Sequence, residues 1–399
     1  MNRNFSRLFQ VIRKETKYII GLMSGTSLDG LDVALCAFTG SGTNTKVEVK
    51  HFITKPYTPE FRAQVKAVFS KKQVDLEQVC ILNAFIGNYH AELVLACLQE
   101  WGMEPQEIDA IASHGQTIYH APASQHQLPG MPNATLQIGD GDHLAVNTGI
   151  LTLSDFRQKH VAAGGEGAPL AGYGDFILFA EQGKDRVLLN IGGISNFTFL
   201  PGSLDVARMF STDIGPGNTL MDAYVQQQFP GKFYDADAQI ALSGKYNQAL
   251  VEALLNQTFF QLDFPKTTGP ELFNLDYLKS ALQQSAQEQL AAEDVLSSLN
   301  RFTAISIANA IKQSIANGNA ELFISGGGMH NPLLLQNLEE LLPGVQIRTT
   351  AELGILPDAK EAVLFATLAN ETLAGEAATF ENSNKQMPAV QMGKISFPF

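Results

Sequence analysis

The chain has 399 residues, is 45% hydrophobic and 17% charged, and carries a net charge of −13 at pH 7. Its length exceeds the ~250–300 residues that one hydrophobic core usually serves, so two domains are expected. The acidic balance argues against a nucleic-acid partner, which needs a basic face, and the lack of any run near ~18 apolar residues argues against a membrane one.

Cys36, Cys80 and Cys97 form no C-x-x-C pair and fit buried free thiols in a reducing cytoplasm. The first residues carry Arg3, Arg7, Arg13, Lys14 and Lys17 without an apolar stretch behind them, and read as a frayed or loosely helical extension. Tyr18–Leu22 and Val33–Phe38 read as two strands joined by a loop rich in glycine, hydroxyl and carboxylate groups, within GLMSGTSLDGLD. Two readings stand side by side. An Asp29-Gly30 turn closes many ordinary hairpins; alternatively, successive N–H groups over small residues cradle a phosphate, with Asp29 and Asp32 beside them to hold a hydrated Mg2+. Val47–Thr54 adds a third strand, Pro59-Glu60 opens a short helix, and a longer helix spans Asp75 to Trp101, ended by Gly102.

Ile108–Ala112 reads as a short strand delivering Ser113-His114-Gly115-Gln116-Thr117 at its carboxyl end, where open α/β sheets bind ligands. His114 is read as a polar ligand contact, against the commoner fate of a structural histidine. Thr135–Ile138 leads into Gly139-Asp140-Gly141-Asp142, and Leu151–Leu153 into Asp155-Phe156-Arg157. The last group is either a surface ion pair or a carboxylate and a guanidinium aimed at a sugar or a substrate carboxylate. The glycine-rich tract from Ala162 to Leu170 suits a hinge or a backbone wall.

Arg186–Ile191, Gly192-Gly193 and Phe197–Leu200 repeat the opening strand, small-residue turn and strand. A third strand around Ala207 to Phe210 leads to Asp213-Ile214-Gly215-Pro216-Gly217-Asn218, and a helix from Thr219 to Gln228 succeeds it. The repeat implies an internal duplication, and two phosphate loops facing each other imply a nucleotide in a cleft between similar domains. Ala291 to Asn317 is a long helix stopped by Gly318. Glu321–Ile324 runs into Gly326-Gly327-Gly328, a candidate adenosine wall or a tight turn, Val345–Arg348 is a strand, and Lys360 to Leu373 is a helix; the tail from Glu376 reads as irregular.

The stretches GLMSGTSLDGLD, SHGQT, LQIGD, DFR, GGEGAPL, LNIGGISN, DIGPGN, PKTTG and SGGG together resemble those of the bacterial anhydro-N-acetylmuramic acid kinases, from about Tyr18 to Gly375. These belong to the acetate and sugar kinase, Hsp70 and actin superfamily. The resemblance implies two actin-like (ribonuclease H-like) α/β domains: residues 1–150 plus 360–399, and 151–359. It implies an ATP and Mg2+ dependent cytoplasmic enzyme, a homodimer, that opens 1,6-anhydro-N-acetylmuramic acid with water and phosphorylates O6 in cell-wall recycling. By resemblance, Gly25, Thr26, Ser27, Leu28, Asp29, Gly30, Leu31 and Asp32 cradle the ATP phosphates, with Asp29 reaching the metal through water. Gly192 and Gly193 form the second phosphate loop, and Gly326, Gly327 and Gly328 line the adenosine. Asp213 matches the catalytic base, and His114, Gln116, Asp155 and Glu361 fall in sugar-side stretches. The chain departs from the family pattern at His160, Glu166, Ala171 to Asp175 and Pro270.

Two rival readings remain at this point. One is a kinase of an ordinary sugar hydroxyl, in which Asp213 deprotonates the acceptor directly. The other is a non-enzymatic ATP switch, which would need a partner-binding domain for which little length remains. Asp213 itself has a second possible role as a helix cap, a place Asn218 fills better.

Overall fold

The opening strand–loop–strand folds as an antiparallel pair, β1 (Thr16–Ser24) and β2 (Gly30–Thr39), with Ser24 opposite Leu31. β3 (Lys46–Pro56) extends the meander. The computed structural model describes residues 2–25, 27–315, 320–375, 380 and 387–399. β1 is buried along most of its length because helices cover both faces of the sheet. Alternate side chains Ile20 and Leu22 pack with Leu82, Ile86 and Val94 of the helix Leu76–Trp101. The opposite face carries Gly21, where a Cβ would lie 1.8 Å from the Ala362 carbonyl oxygen. Helix Lys360–Ala374 can settle on the strand only over bare backbone.

β4 (Ala110–Ala121) runs parallel to β1, β5 (Ala134–Ile138) pairs antiparallel with its outer half, and β6 (Thr152–Ser154) runs parallel to its inner half. In the second unit β7 (Arg186–Ile191), β8 (Ile194–Leu200) and β9 (Phe210–Pro216) form another antiparallel meander. There β10 (Glu321–Ser325) lies parallel to β7, and β11 (Ile347–Thr349) parallel to β10. The order β9-β8-β7-β10-β11 matches β3-β2-β1-β4-β6 strand for strand. The chain is therefore an α/β protein of two ribonuclease H-like, actin-like units with one topology, as an internal duplication requires.

The units are residues 1–179 with 354–399, and residues 180–353. Residues 151–179 and 354–359, expected with the second domain, pack in the first, because β6 joins its sheet and the cap before Lys360 belongs to its covering helix. Each unit has its own core, one around Ile20, Ile86 and Ile111, the other around Val187, Ile307 and Leu322. Residues 229–290, where the sequence shows the PKTTG motif but no element, include helices Gln239–Ser243, Gln248–Leu255 and Leu275–Gln284 against Leu296, Leu299 and Phe302.

Other expectations shift. The extension is a helix, Arg3–Arg13, held by Arg7 donating to the Ile108 carbonyl and by a Lys14–Asp109 pair at 2.6 Å. The tail comes back as β12 (Lys394–Ser396), antiparallel to β6, so it is not all irregular. Asn317 and Gly318 lie outside the described residues, and the long helix runs Ala292–Ser314. Cys36 and Cys97 are buried free thiols, but Cys80 is exposed. Helix Leu76–Trp101 is long and apolar enough to cross a membrane by composition, yet Leu82, Ile86, His90 and Val94 face the core.

Candidate active site

Between β1 and β2 the chain turns through residues 25–29, with Thr26 outside the described residues. Asp29 shapes this turn: its Oδ1 accepts from the Ser27 hydroxyl at 2.7 Å and from the Gly30 N–H at 3.0 Å. The Ser27 hydroxyl and those N–H groups hold the carboxyl below its usual range, so it stays ionised. Leu28 has φ +57° and is buried, as is Leu31, so both side chains belong to the core and only their backbone is available to a ligand. Gly30 is held bare by the Lys55 carbonyl, 2.5 Å from its would-be Cβ. Asp32 accepts from the Thr54 hydroxyl at 2.6 Å; burial raises its carboxyl, Thr54 opposes this, and the Asp29 charge adds to it.

Beneath the turn lies a buried chain of hydrogen bonds. The Tyr57 hydroxyl donates to Ser24 Oγ at 2.7 Å, Ser24 donates to Gln116 Oε1, and Gln116 Nε2 reaches the Gly25 carbonyl at 3.4 Å. His90 Nε2 sits 2.9 Å from the Tyr57 oxygen. Since Tyr57 spends its proton on Ser24, His90 supplies an Nε2–H; burial pushes its pKa down to about 4 and keeps it neutral. Gln116 is fully buried and committed to this chain, so its side chain is not the sugar contact that the sequence suggested. Its strand is also longer than expected: SHGQT lies inside β4, where Gly115 (φ +72°) marks the change from parallel to antiparallel partners.

SHGQT, LQIGD and DFR converge on a cavity of about 260 Å³, lined by Ser113, His114, Gln137, Asp140 and Asp155 among others. His114 Nε2 accepts from Arg157 Nε at 2.9 Å. Burial and the Arg157 charge push its pKa down to about 3, so it is neutral with its proton on Nδ1. Arg157 also donates to the Gly167 carbonyl at 2.8 Å. Asp155 and Arg157 therefore form no ion pair with each other: Asp155 takes the left-handed conformation and meets Lys394 at 3.1 Å. Glu361, in the first turn of its helix, is exposed as a residue, but the desolvation of its carboxyl by neighbouring atoms raises its pKa, with the Arg157 charge opposing and the Asp32 charge adding. The variant position His160 is fully buried, accepts from the Gly167 N–H at 2.9 Å and meets Tyr173 edge-on, so it braces the GGEGAPL segment.

In the second unit the turn is only Gly192-Gly193, braced by backbone. Gly217 and Thr219 N–H groups donate to the Gly193 carbonyl at 2.8 and 3.1 Å, and Asn218 N–H to Gly192 at 2.8 Å. Asn218 occupies the cap of helix Thr219–Gln228, but its side chain makes no capping bond. Its Nδ2 instead lies 3.6 Å from where a Cβ on Gly327 would be. Gly326 and Gly328 are dictated by the protein itself, since Cβ atoms there would meet Asn190 and Ile191 at 2.6 and 2.2 Å.

That contrast extends across the chain. Among the described glycines outside the left-handed region, only Gly25, Gly192 and Gly327 leave ordinary room for a Cβ, with nearest contacts of 3.7, 3.5 and 3.6 Å. Nothing among the described residues requires them to be glycine, and one falls in each of the three loops read as nucleotide-binding.

Asp213 lies inside β9, not in a loop before a helix, because the strand extends to Pro216 through a bulge opposite Ser195 and Asn196. Its N–H donates to the Lys266 carbonyl, and its Oδ2 accepts from the Thr268 N–H, both at 2.9 Å. Oδ1 takes no hydrogen bond from the described residues. Burial raises its pKa, the Thr268 N–H opposes, and the Glu271 charge adds. Tyr57, His90 and Thr268 are the supporting residues that sequence reading missed. Thr268 lay in the quoted PKTTG stretch, whereas Tyr57 and His90 carried no local signal.

The model of the family described as anhydro-N-acetylmuramic acid kinase matches residues 17–397. Proteins named anhydro-N-acetylmuramic acid kinase from Pseudoalteromonas atlantica and Pseudoalteromonas translucida are 56% and 51% identical, over 100% of both chains. One of that name from Caldanaerobacter subterraneus is 37% identical over 98% of this chain and 99% of its own.

Proposed function

The chain belongs to the anhydro-N-acetylmuramic acid kinase family, and from that premise we propose how its residues divide the reaction. The reaction takes 1,6-anhydro-N-acetylmuramic acid, ATP and water to N-acetylmuramic acid 6-phosphate and ADP, a step of cell-wall recycling. Water forms a bond to C1 while the C1–O6 bond breaks, and O6 takes the γ-phosphoryl group of ATP, releasing ADP. A base must accept the water's proton.

Asp213 is our base. One carboxylate oxygen is fixed by Thr268, the other is left for water, and burial lifts its basicity. The nucleotide assignment rests on one observation: no contact among the described residues keeps Gly25, Gly192 and Gly327 bare. A phosphate or a flat base can then lie on the backbone at each. The backbone N–H groups of the turn receive phosphate oxygens while the Ser27 hydroxyl holds Asp29, and Asn218 offers its amide beside Gly327.

Among the described residues no group of three or more His, Cys, Asp or Glu side chains is placed to hold a metal. One ionised carboxylate, Asp29, suits a largely hydrated Mg2+ carried by the nucleotide. Bound there, Mg2+ would neutralise phosphate charge. Arg157, steered by neutral His114 and balanced by Glu361, is assigned to the lactyl carboxylate, and the cavity beside Asp155 to the sugar. We take the assembly to be a homodimer and the site of action to be the cytoplasm, where ATP is supplied.

The test is ADP release with matched sugars. 1,6-Anhydro-N-acetylmuramic acid should stimulate it strongly and ring-opened N-acetylmuramic acid should not. Equal stimulation by the ring-opened sugar would favour a kinase of an ordinary hydroxyl.

A further inference from the structure

The N-terminal helix, Arg3–Arg13, precedes the part of the chain that the family model matches, and the kinase chemistry gives it no role. It is docked unusually. Asn4, Arg7 and Val11 face the protein: Asn4 and Arg7 donate to the carbonyls of Phe399 and Ile108, and Val11 is buried. Phe5, Phe9 and Ile12, at helical spacing, are 51%, 47% and 38% exposed. Phe399 is 60% exposed next to them, with the Arg3 guanidinium 4.0 Å from its ring, and Phe397 meets Phe5. A surface helix ordinarily hides such a stripe.

The charges on the helix itself have one sign, although exposed Glu15 follows it and Asp109 pairs with Lys14 at its end. Residues 2–14 hold Arg3, Arg7, Arg13 and Lys14 and no acidic residue, in a chain whose net charge is −13. Arg3 and Arg13 are exposed, whereas Lys14 is paired with Asp109. Two such helices brought together would set cations against cations, so a matching helix on a second copy is a poor occupant. A surface offering apolar depth under a layer of anions fits both features.

We propose that this helix is a reversible docking surface for an anionic lipid bilayer, with Phe5, Phe9, Ile12 and Phe399 entering the headgroup boundary and Arg3 and Arg13 meeting lipid phosphates. The sequence alone suggested no membrane partner; that expectation changes because folding turns these apolar residues outward. A short stripe gives weak, salt-sensitive binding.

The full chain should co-sediment with vesicles of 30% phosphatidylglycerol in phosphatidylcholine at low salt. It should bind pure phosphatidylcholine far less, and raising salt should release it. R3E/R13E should lower partitioning roughly 30-fold or more. F9S/I12S should abolish it, with kinase turnover unchanged as proof of folding. No binding to the anionic vesicles, or equal binding to neutral ones, overturns the proposal. So does an F9S/I12S variant that keeps its vesicle binding. If F9S/I12S instead lowers the oligomeric state by sedimentation velocity while wild type ignores vesicles, the occupant is a second copy and the lipid reading is wrong.

Discussion

The two units share a strand order but brace their first turns by different means. In the first unit the turn after β1 rests on side chains, running His90, Tyr57, Ser24 and Gln116 up to Gly25. In the second, the Gly192-Gly193 turn rests on backbone bonds from Gly217, Asn218 and Thr219. The first should respond to changes in polarity and protonation. The second should respond to added bulk. Duplication conserves a topology without conserving what stiffens it.

The comparison breaks most sharply at the chemistry, since we place the base in the second unit alone. Asp213→Asn keeps the side-chain shape and removes the proton acceptor. Turnover should fall by ~10²–10⁴ while calorimetry still detects both ligands binding. Loss of binding in step with turnover would make Asp213 a structural residue.

Next comes bulk. A Cβ on Gly217 would lie 2.3 Å from the Gly192 carbonyl oxygen, so Gly217→Ala should destabilise the protein by roughly 1–3 kcal/mol in urea unfolding. Gly25→Ala has room and should change stability by under about 0.5 kcal/mol, yet weaken MgATP binding. A Gly25→Ala protein with native nucleotide affinity would remove the reason for that glycine.

Polarity follows. Tyr57→Phe leaves the His90 N–H without an acceptor and Ser24 without a donor, a loss of about 1–2 kcal/mol. Because the chain ends at the phosphate loop, KM for ATP should rise more than kcat falls. Equal effects on KM for sugar and ATP would place the damage elsewhere.

Protonation is the smallest effect. His90 and His114 are held neutral in the folded state, with pKa values of about 4 and 3. Unfolding lets each bind a proton below pH ~6.5, so stability is lost as pH falls from that value toward 4 and 3. Going from pH 7 to 6 should cost roughly 0.7 kcal/mol per histidine. The second unit has one histidine, His330, and it is exposed. Hydrogen exchange should therefore show protection lost on acidification in β1 and β4 before β7 and β8.

The parts of this account that the sequence carried are those with a local signature. Strand periodicity and small-residue turns marked β1, β2, β7 and β8, and Asp75 and Gly102 do cap the helix between them. The glycine loops were visible as composition, but the sequence could not say which glycine answers to packing. Gly328 is bare for Ile191, and Gly327 for nothing among the described residues. Side chains that act through partners distant in sequence were not legible. Gln116 looked like a ligand contact because its partner Ser24 lies 92 positions away. β9 was placed too early, around Ala207 to Phe210, where Val206–Arg208 is a short 3-10 turn; the strand runs Phe210–Pro216 because a bulge accommodates the unpromising Ile214-Gly215-Pro216.

The central claim is that water, activated by Asp213, attacks C1 while O6 takes the phosphate. Run briefly in 18O-water, the reaction should place the label at C1 of N-acetylmuramic acid 6-phosphate and none in the phosphate. An unlabelled-product control corrects for hemiacetal exchange, and displacement with inversion should give the α anomer first. Label in the phosphate, or an unlabelled C1 at times before exchange, would contradict it.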